Sequence, residues 1–434
     1  MSDGLISVVP KDPTAGEPEW LGGLRARAAA HLHEAGFPGK KHERWRFTSV
    51  RDVVDTAFAP AEADGGAVAF ADEHLGDDGT WRVVLSAGRP VIDGDAPEGV
   101  TVRSLADVLA SDPASLEGAL GAVVKGEQFA ALNDALFTDG LVIDIAKNAD
   151  VATPIHVVHV ATPGAAPSAS YPRLLVTAAT GSRATLVESF LAHEGDGDAK
   201  HLTNTVAEVS VGPNARLEHV RITEGTPRAL QIAYLGARLD RDAFYGSRVV
   251  ALGGGLTRLE LSVRFEGPGA EIELDGAYHV GTGDHVDHQL RVDHVAGRCT
   301  SHARYRGLLD GRGHAVFNAE GVVHRDAAGS AAHQENRNLL LSDDATIDTK
   351  PHLEIDCDDV AASHGTTVGA LDDAQLFYLR SRGIPLEKAR DILTYAFARE
   401  VIDSIGHAPL VKRCSEAVLA RLPHGEALAE GMSE

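Results

Sequence analysis

NLLLSDDATIDTKPHLEIDCDDVAASHGTTVG, residues 338 to 369, decides the reading of this chain. Apolar and polar residues alternate along it, as they must when successive side chains point to opposite faces of a half-buried strand. Leu353, Ile355 and Cys357 share one parity, the buried one, and Glu354, Asp356 and Asp358 share the other. The strand is expected to run out at Ala361-Ala362-Ser363 and to deliver His364 at a strand-to-loop exit. Small neighbours, Ser363 and Gly365, leave the imidazole uncovered there, and the glycine permits a sharp turn.

Upstream, from Leu141, short β stretches such as LVIDIA, IHVVHVA, NTVAEVSVG and RLEHVRI are separated by small polar turns for more than 200 residues. Turn cores fall near Asn148, Arg183, Asn214, Asp242, Gly269, Arg298, His314, Gly329 and Asp344, first about 27 to 35 residues apart and finally about 15 or 16. One interval is twice the other, which suggests a coil of about 15 residues whose turn signature is sometimes missing. A quasi-period without intervening helices favours a β-solenoid, each rung burying its inner face on the next. A sandwich or double barrel is the competing reading.

Before Leu141 the chain reads as a loose arm (1–17), a helix through Leu21, Leu24, Ala28 and Leu32, and a rim formed by Trp45 and Phe47. A linker (59–66), a strand (81–87) and helices over 102–109 and 116–137 follow. After His364, Asp372 and Gln375 form a capping box and Gly383 ends that helix. Pro385 opens the next helix, with an apolar stripe through Leu386, Ala389, Leu393, Ala396, Phe397, Val401 and Ile405. The tail from His424 is expected to be disordered. This gives a mostly helical N-terminal region (1–140), a β core (141–366) and a C-terminal helical region (367–434).

Composition narrows the function. The 434 residues are 44% apolar but 5% aromatic, and the formal net charge is −23. That acidity argues against a phosphate-binding surface. Three cysteines, Cys299, Cys357 and Cys414, without a C-x-x-C pair, do not encode a disulfide framework or a four-thiolate cluster site. No secretory signal and no apolar run of membrane-spanning length is found, so a cytoplasmic location is expected. No phosphate-binding G-x-x-x-x-G-K-[ST] loop occurs.

Ten histidines cluster between His279 and His364, but His285 and His288 have opposite strand parity and cannot face one ion. These residues are therefore read as solvated or stacked on a solenoid face. Cys357 and Cys414 are read as packing, and Cys299 remains open between packing and ligation. The acids Glu335, Asp343, Asp344, Asp348, Glu354, Asp356, Asp358 and Asp359 are read as a solvated face. A β-solenoid carbohydrate-active enzyme would need two of them to converge. A stand-alone metalloprotein would need the 285–302 histidines to do so.

Residues 307–384, from GLLDGRGHAVFNAEG to FYLRSRGI, together with DHQLRVDHVAGRCTS (287–301), FAALNDALFTDG (129–140) and ERWRFTSV (43–50), resemble the SufB/SufD family of SUF iron–sulfur assembly scaffolds. The SHG triplet and the absence of an N-terminal cysteine motif resemble the SufD branch. The resemblance implies a right-handed parallel β-helix flanked by helical regions. It also implies a heterodimer with SufB through the β-helix ends, and two copies of the ATPase SufC on the C-terminal helices. The isolated chain could pair with itself. No tightly bound cofactor is expected, only a transient iron–sulfur cluster at the SufB interface; flavin binding is left open. His364 maps onto the family histidine that faces a SufB cysteine, and Cys357 and Cys299 are possible auxiliary thiols. Leu376, Phe377, Leu379, Pro385, Leu393 and Phe397 are the expected SufC-docking set. Many SufD proteins carry cysteine two residues before that histidine; this chain has Ala362.

Overall fold

Asn148, Gly181, Asn214, Asp242, Gly269, Arg298 and Gly329 all adopt positive φ, from 56° to 75°. They stack. The N–H of each donates to the carbonyl just before the next in the column: Asn148 to Thr180, Gly181 to Pro213, Asn214 to Arg241, Asp242 to Pro268, Gly269 to Gly297 and Arg298 to Ala328. This column is one edge of a two-sheeted parallel β-solenoid in the computed structural model, which describes residues 4–10, 16–162, 164–192, 199–425 and 428–429. Asn and Asp tolerate the left-handed conformation because a short polar side chain can hydrogen-bond locally. Of the expected turn cores, Arg183 yields its place to Gly181, and His314 lies inside a strand.

Strands alternate between the two sheets. The first sheet stacks Gly140–Ile145, Arg173–Ala178, His201–Val211, Ala229–Leu239, Leu256–Phe265, His285–His294, His314–Val323 and Thr346–Ile355. The second stacks Trp81–Ser86, Ile155–Ala161, Arg183–Ala192, Arg216–Glu224, Phe244–Leu252, Glu271–Val280, Thr300–Leu309, Ser330–Leu340 and Val360–Gly369. All of these pairings are parallel, which rules out the sandwich and barrel alternatives. Apart from Trp81↔Ile155, register partners lie between 26 residues apart (Leu230↔Leu256) and 33 apart (Arg183↔Arg216). The unit of about 15 residues is therefore half a coil, one strand and one turn, rather than a whole coil.

The inner faces meet in a continuous core. Ala207, Leu235, Leu261, Leu290 and Ala319 follow one another in register along it, and each buried leucine contributes roughly 1.5–3 kcal/mol. Outside the first sheet, helices Glu19–Ala35 and Gln128–Leu136 pack through Ala28, Leu32, Phe129 and Leu132 onto Leu202, Leu230 and Ile232.

Several local expectations change. Leu5 is fully buried in that cluster, so the N-terminal segment is no free arm where it is described. The helix expected over 116–137 shortens to Gln128–Leu136, because Gly118, Gly121 and Gly126 all take positive φ. Val100–Ser104 is a strand, and the helix after it starts at Leu105 with Ser104 as its cap. Ala59–Pro60 in the expected linker pairs with Ser168 and Ala169. Trp45 is fully buried against the Arg258 guanidinium, whereas Phe47 is 44% exposed, so they do not share a rim.

Helices Asp373–Ser381, Leu386–Ile402 and Ala408–Leu419 follow the last coil. Asp372 caps the first, accepting from the Ala374 and Gln375 amides. The second buries Ala389, Tyr395, Ala398, Val401 and Ile402, a face rotated from the expected stripe, and leaves Leu386 and Ala396 exposed. It lies along the outer face of the second sheet on Val250, Ala277 and Leu308, so it covers the side of the solenoid and not its end. Part of the tail after His424 lies outside the described residues.

Candidate functional site at the open end of the solenoid

The deciding stretch forms two strands, Thr346–Ile355 and Val360–Gly369, which together make the last coil. Each pairs on one side only, with His314–Val323 and Ser330–Leu340 respectively. Among the described residues nothing pairs with their outer edges, so two rows of backbone donors and acceptors stand open. Such edges are templates for another strand.

His364 is therefore in mid-strand and not at a loop exit. It is the register partner of Gln334 and continues an inward-facing column through Ser247, Leu274, Ala303 and Gln334. Inward side chains are normally covered by the next coil; here there is none, and His364 is exposed. Ile355 and Val368 share this fate at 42% and 47% exposure. Two residues on from His364, the Thr366 hydroxyl meets Thr349 Oγ1 of the opposite strand at 3.2 Å and ties the end of the coil together.

His364 stands on the rim of a groove of about 570 Å³ on the outer face of the second sheet. His302 and His333 stack there with ring centroids 5.1 Å apart, and His333 Nδ1 lies 2.7 Å from Ser363 Oγ. Arg304 crosses to Asp275 at 3.0 Å, and Arg306 reaches Glu400 of the C-terminal helix at 2.9 Å.

Behind the end runs a buried polar spine. Thr349 Oγ1 donates to Asn336 Oδ1 at 3.0 Å, and Asn336 Nδ2 donates to Tyr278 Oη at 3.1 Å. Deeper, Glu188 receives His159 Nε2 at 3.0 Å, His219 Nε2 at 2.9 Å and the Arg221 guanidinium. Burial alone would raise the Glu188 carboxyl; Arg221 and the two imidazoles outweigh it and hold the group well below the usual carboxylate range. Burial depresses His159 and His219 despite Glu188. His288, 1% exposed between the edges of Tyr278 and Tyr305, is pushed down to about 3 by burial.

The solvated reading of the histidines is thus overturned for His279, His288 and His294, which are buried; His285–His314 and His302–His333 do approach ring to ring. Nor do the 285–302 histidines converge: His288 and His294 face the core, His285 meets Thr48, and His302 lies on the other sheet.

Cys357 is half-buried in the turn joining the last two strands, beside Val323, Ala327 and Ala332, and not on the buried face of a strand as expected. Cys299 is fully buried with Sγ 3.4 Å from the Gly267 carbonyl, and burial raises its thiol. Burial pushes Cys414 up to about 12. The structure places neither Cys299 nor Cys414 at the open end.

Leu376, Phe377 and Leu379 belong to helix Asp373–Ser381, none of whose residues is buried; Phe377 is 73% exposed. Pro385 is exposed at the start of the next helix, whereas Leu393 and Phe397 are half-buried, Phe397 in the cluster that seats the helix on the solenoid. Gln334, Thr349 and Thr366 were not singled out from sequence, because only coil-to-coil register brings them beside His364.

Residues 159–397 match the family described as SUF system FeS cluster assembly, SufBD core domain. The chain is 29% identical over 413 residues to the iron–sulfur cluster assembly protein SufD of Escherichia coli K12, covering 92% of this chain and 93% of that one. It is 30% identical to SufBD family proteins of Mycobacterium leprae (91% and 92% covered) and of Synechocystis (92% and 90% covered).

Proposed function

This chain belongs to the SufBD family of the SUF system, proteins of iron–sulfur cluster assembly, and from that premise we propose that it is a non-catalytic scaffold subunit pairing with SufB and docking the ATPase SufC. The observation that carries the reading is the open last coil. Two unpaired strand edges, exposed Ile355 and Val368, and an uncovered His364 occur together at one end. A partner solenoid seated there would satisfy the backbone edges, bury the apolar residues and bring its own side chains against the imidazole.

His364 then offers a ring nitrogen beside a SufB thiolate, and the nascent cluster is cargo shared between the two chains. Imidazole suits this role because it binds iron in its neutral form. The exposed Phe377 and Pro385, with the half-buried Leu376 and Leu379, supply the SufC-docking surface, since a helix without a fully buried residue has apolar surface free for another protein. ATP-driven pairing of two SufC copies would twist the pair that this chain forms with SufB and open the shared end. The described residues hold no helix long and apolar enough to cross a membrane.

The test is co-purification with SufB and SufC, followed by anaerobic loading with iron and sulfide. Wild type is expected to associate and accumulate a cluster, and His364→Ala to associate without accumulating it. Failure of wild type to associate overturns the scaffold reading; a normal cluster yield from the variant overturns the role of His364.

A further inference from the structure

We propose that Glu320, His352 and Glu354 form a binding site for a divalent first-row transition-metal cation on the outer face of the last two strands of the first sheet. Glu320 and His352 are register partners on neighbouring strands, and Glu354 follows His352 by two residues on the same face. One donor atom from each lies within 4.8 Å of the others. Donors sharing one ion at bonds of about 2.1 Å stand roughly 3–4 Å apart, so small side-chain rotations close the site.

His352 and Glu354 differ from the other histidine and acid groupings in being uncommitted. His333 Nδ1 is engaged by Ser363, His314 Nε2 by Asp348 at 2.8 Å and His285 Nε2 by Thr48 at 3.0 Å. Among the described residues, the His352 ring and the Glu354 carboxylate have no hydrogen-bond or ion-pair partner, and both are exposed. Arg291 Nη1 holds Glu320 Oε2 at 2.7 Å, which orients that carboxylate and leaves its second oxygen for a ligand. Arg291 is itself balanced by Asp293 at 2.9 Å.

The donor set decides the class of ion. One imidazole with two carboxylates suits iron(II), manganese(II) or zinc, whereas calcium and magnesium favour all-oxygen sites. Three protein donors leave positions open. Glu320 and His352 line a cleft of about 680 Å³ that also holds Arg46, Phe47 and Lys350, with room for water or a small anionic co-ligand. That the ion is iron(II) bound for a cluster rests on the function proposed above; that these side chains bind a divalent cation does not.

The experiment is an anaerobic Mn²⁺ titration of the full-length chain alone, read by loss of the free-ion EPR signal and by paramagnetic broadening of histidine NMR resonances. Wild type is expected to take up Mn²⁺ in a site whose first-broadened imidazole disappears from the spectrum in His352→Ala. His352→Ala and Glu354→Gln should each weaken uptake by at least about tenfold, while His364→Ala binds as wild type does. All three positions are exposed, so unchanged thermal melting will certify the folds. The proposal is overturned if wild type takes up no Mn²⁺, if the His352 and Glu354 variants keep the wild-type isotherm, or if uptake disappears with His364 instead. None of these outcomes depends on SufB or SufC.

Discussion

Gln334 and His364 are register partners on the last two strands of the second sheet, yet Gln334 is 9% exposed and His364 lies open. Identical backbone placement gives opposite environments because a coil covers one and none covers the other. His364→Ala should therefore leave the stability of the isolated chain within about 0.5 kcal/mol of wild type, as for surface substitutions without partners. Urea unfolding checks this, and a larger loss would show that the imidazole serves the fold.

Phe377, 73% exposed on a helix without buried residues, leads to a similar separation of effects. Phe377→Ser should not lower the thermal midpoint of the isolated chain, but should weaken SufC capture in pull-down or calorimetry by at least about 2 kcal/mol if it is an interfacial anchor. Unchanged capture would move the docking surface elsewhere.

Acid sensitivity follows from the buried histidines. Burial pushes His285 and His288 down to about 3 and His201, His279 and His294 to about 4, so each stays neutral in the fold while its unfolded counterpart protonates below about 6.5. The unfolded state then binds more protons, and stability is complete above 6.5 and falls as the pH drops towards these lowered values. His288 alone accounts for about 2 kcal/mol of the loss between pH 7 and pH 5. Among the described residues, both of its ring nitrogens lack hydrogen-bond partners. His288→Phe, which keeps the edge contacts with Tyr278 and Tyr305, should be near neutral at pH 7 and should remove that share of the acid loss. Parallel denaturant curves at the two pH values measure the difference, and an unchanged slope would contradict the argument.

Asn214 tests the left-handed column. At φ 56° it occupies a conformation that costs an ordinary L-residue roughly 1–2 kcal/mol. Asn214→Ala should lose about 1 kcal/mol, whereas Asn214→Gly should stay within a few tenths. Equal behaviour of the two in thermal melts would mean that backbone strain at this turn is not what selects asparagine.

Sequence alone determined the class of fold, the helix cap at Asp372 and the family. Alternation, turn residues and short-range capping act over a few positions, so Asn148, Asn214, Asp242, Gly269, Arg298 and Gly329 mark the turns and Asp372 marks a helix start in the linear text. The length of a coil is twice the period visible in the sequence, because the same strand-and-turn unit builds both sheets and nothing local distinguishes one from the other. Tertiary structure alone decided what lies beside what. Glu320 meets His352 across 32 positions of chain, Gln334 is covered by the coil on which His364 lies bare, and His288 is buried where local polarity suggested exposure. The physical reason is that register between coils is set by the whole stack of inner faces, and solvent reaches an inward side chain only where that stack ends.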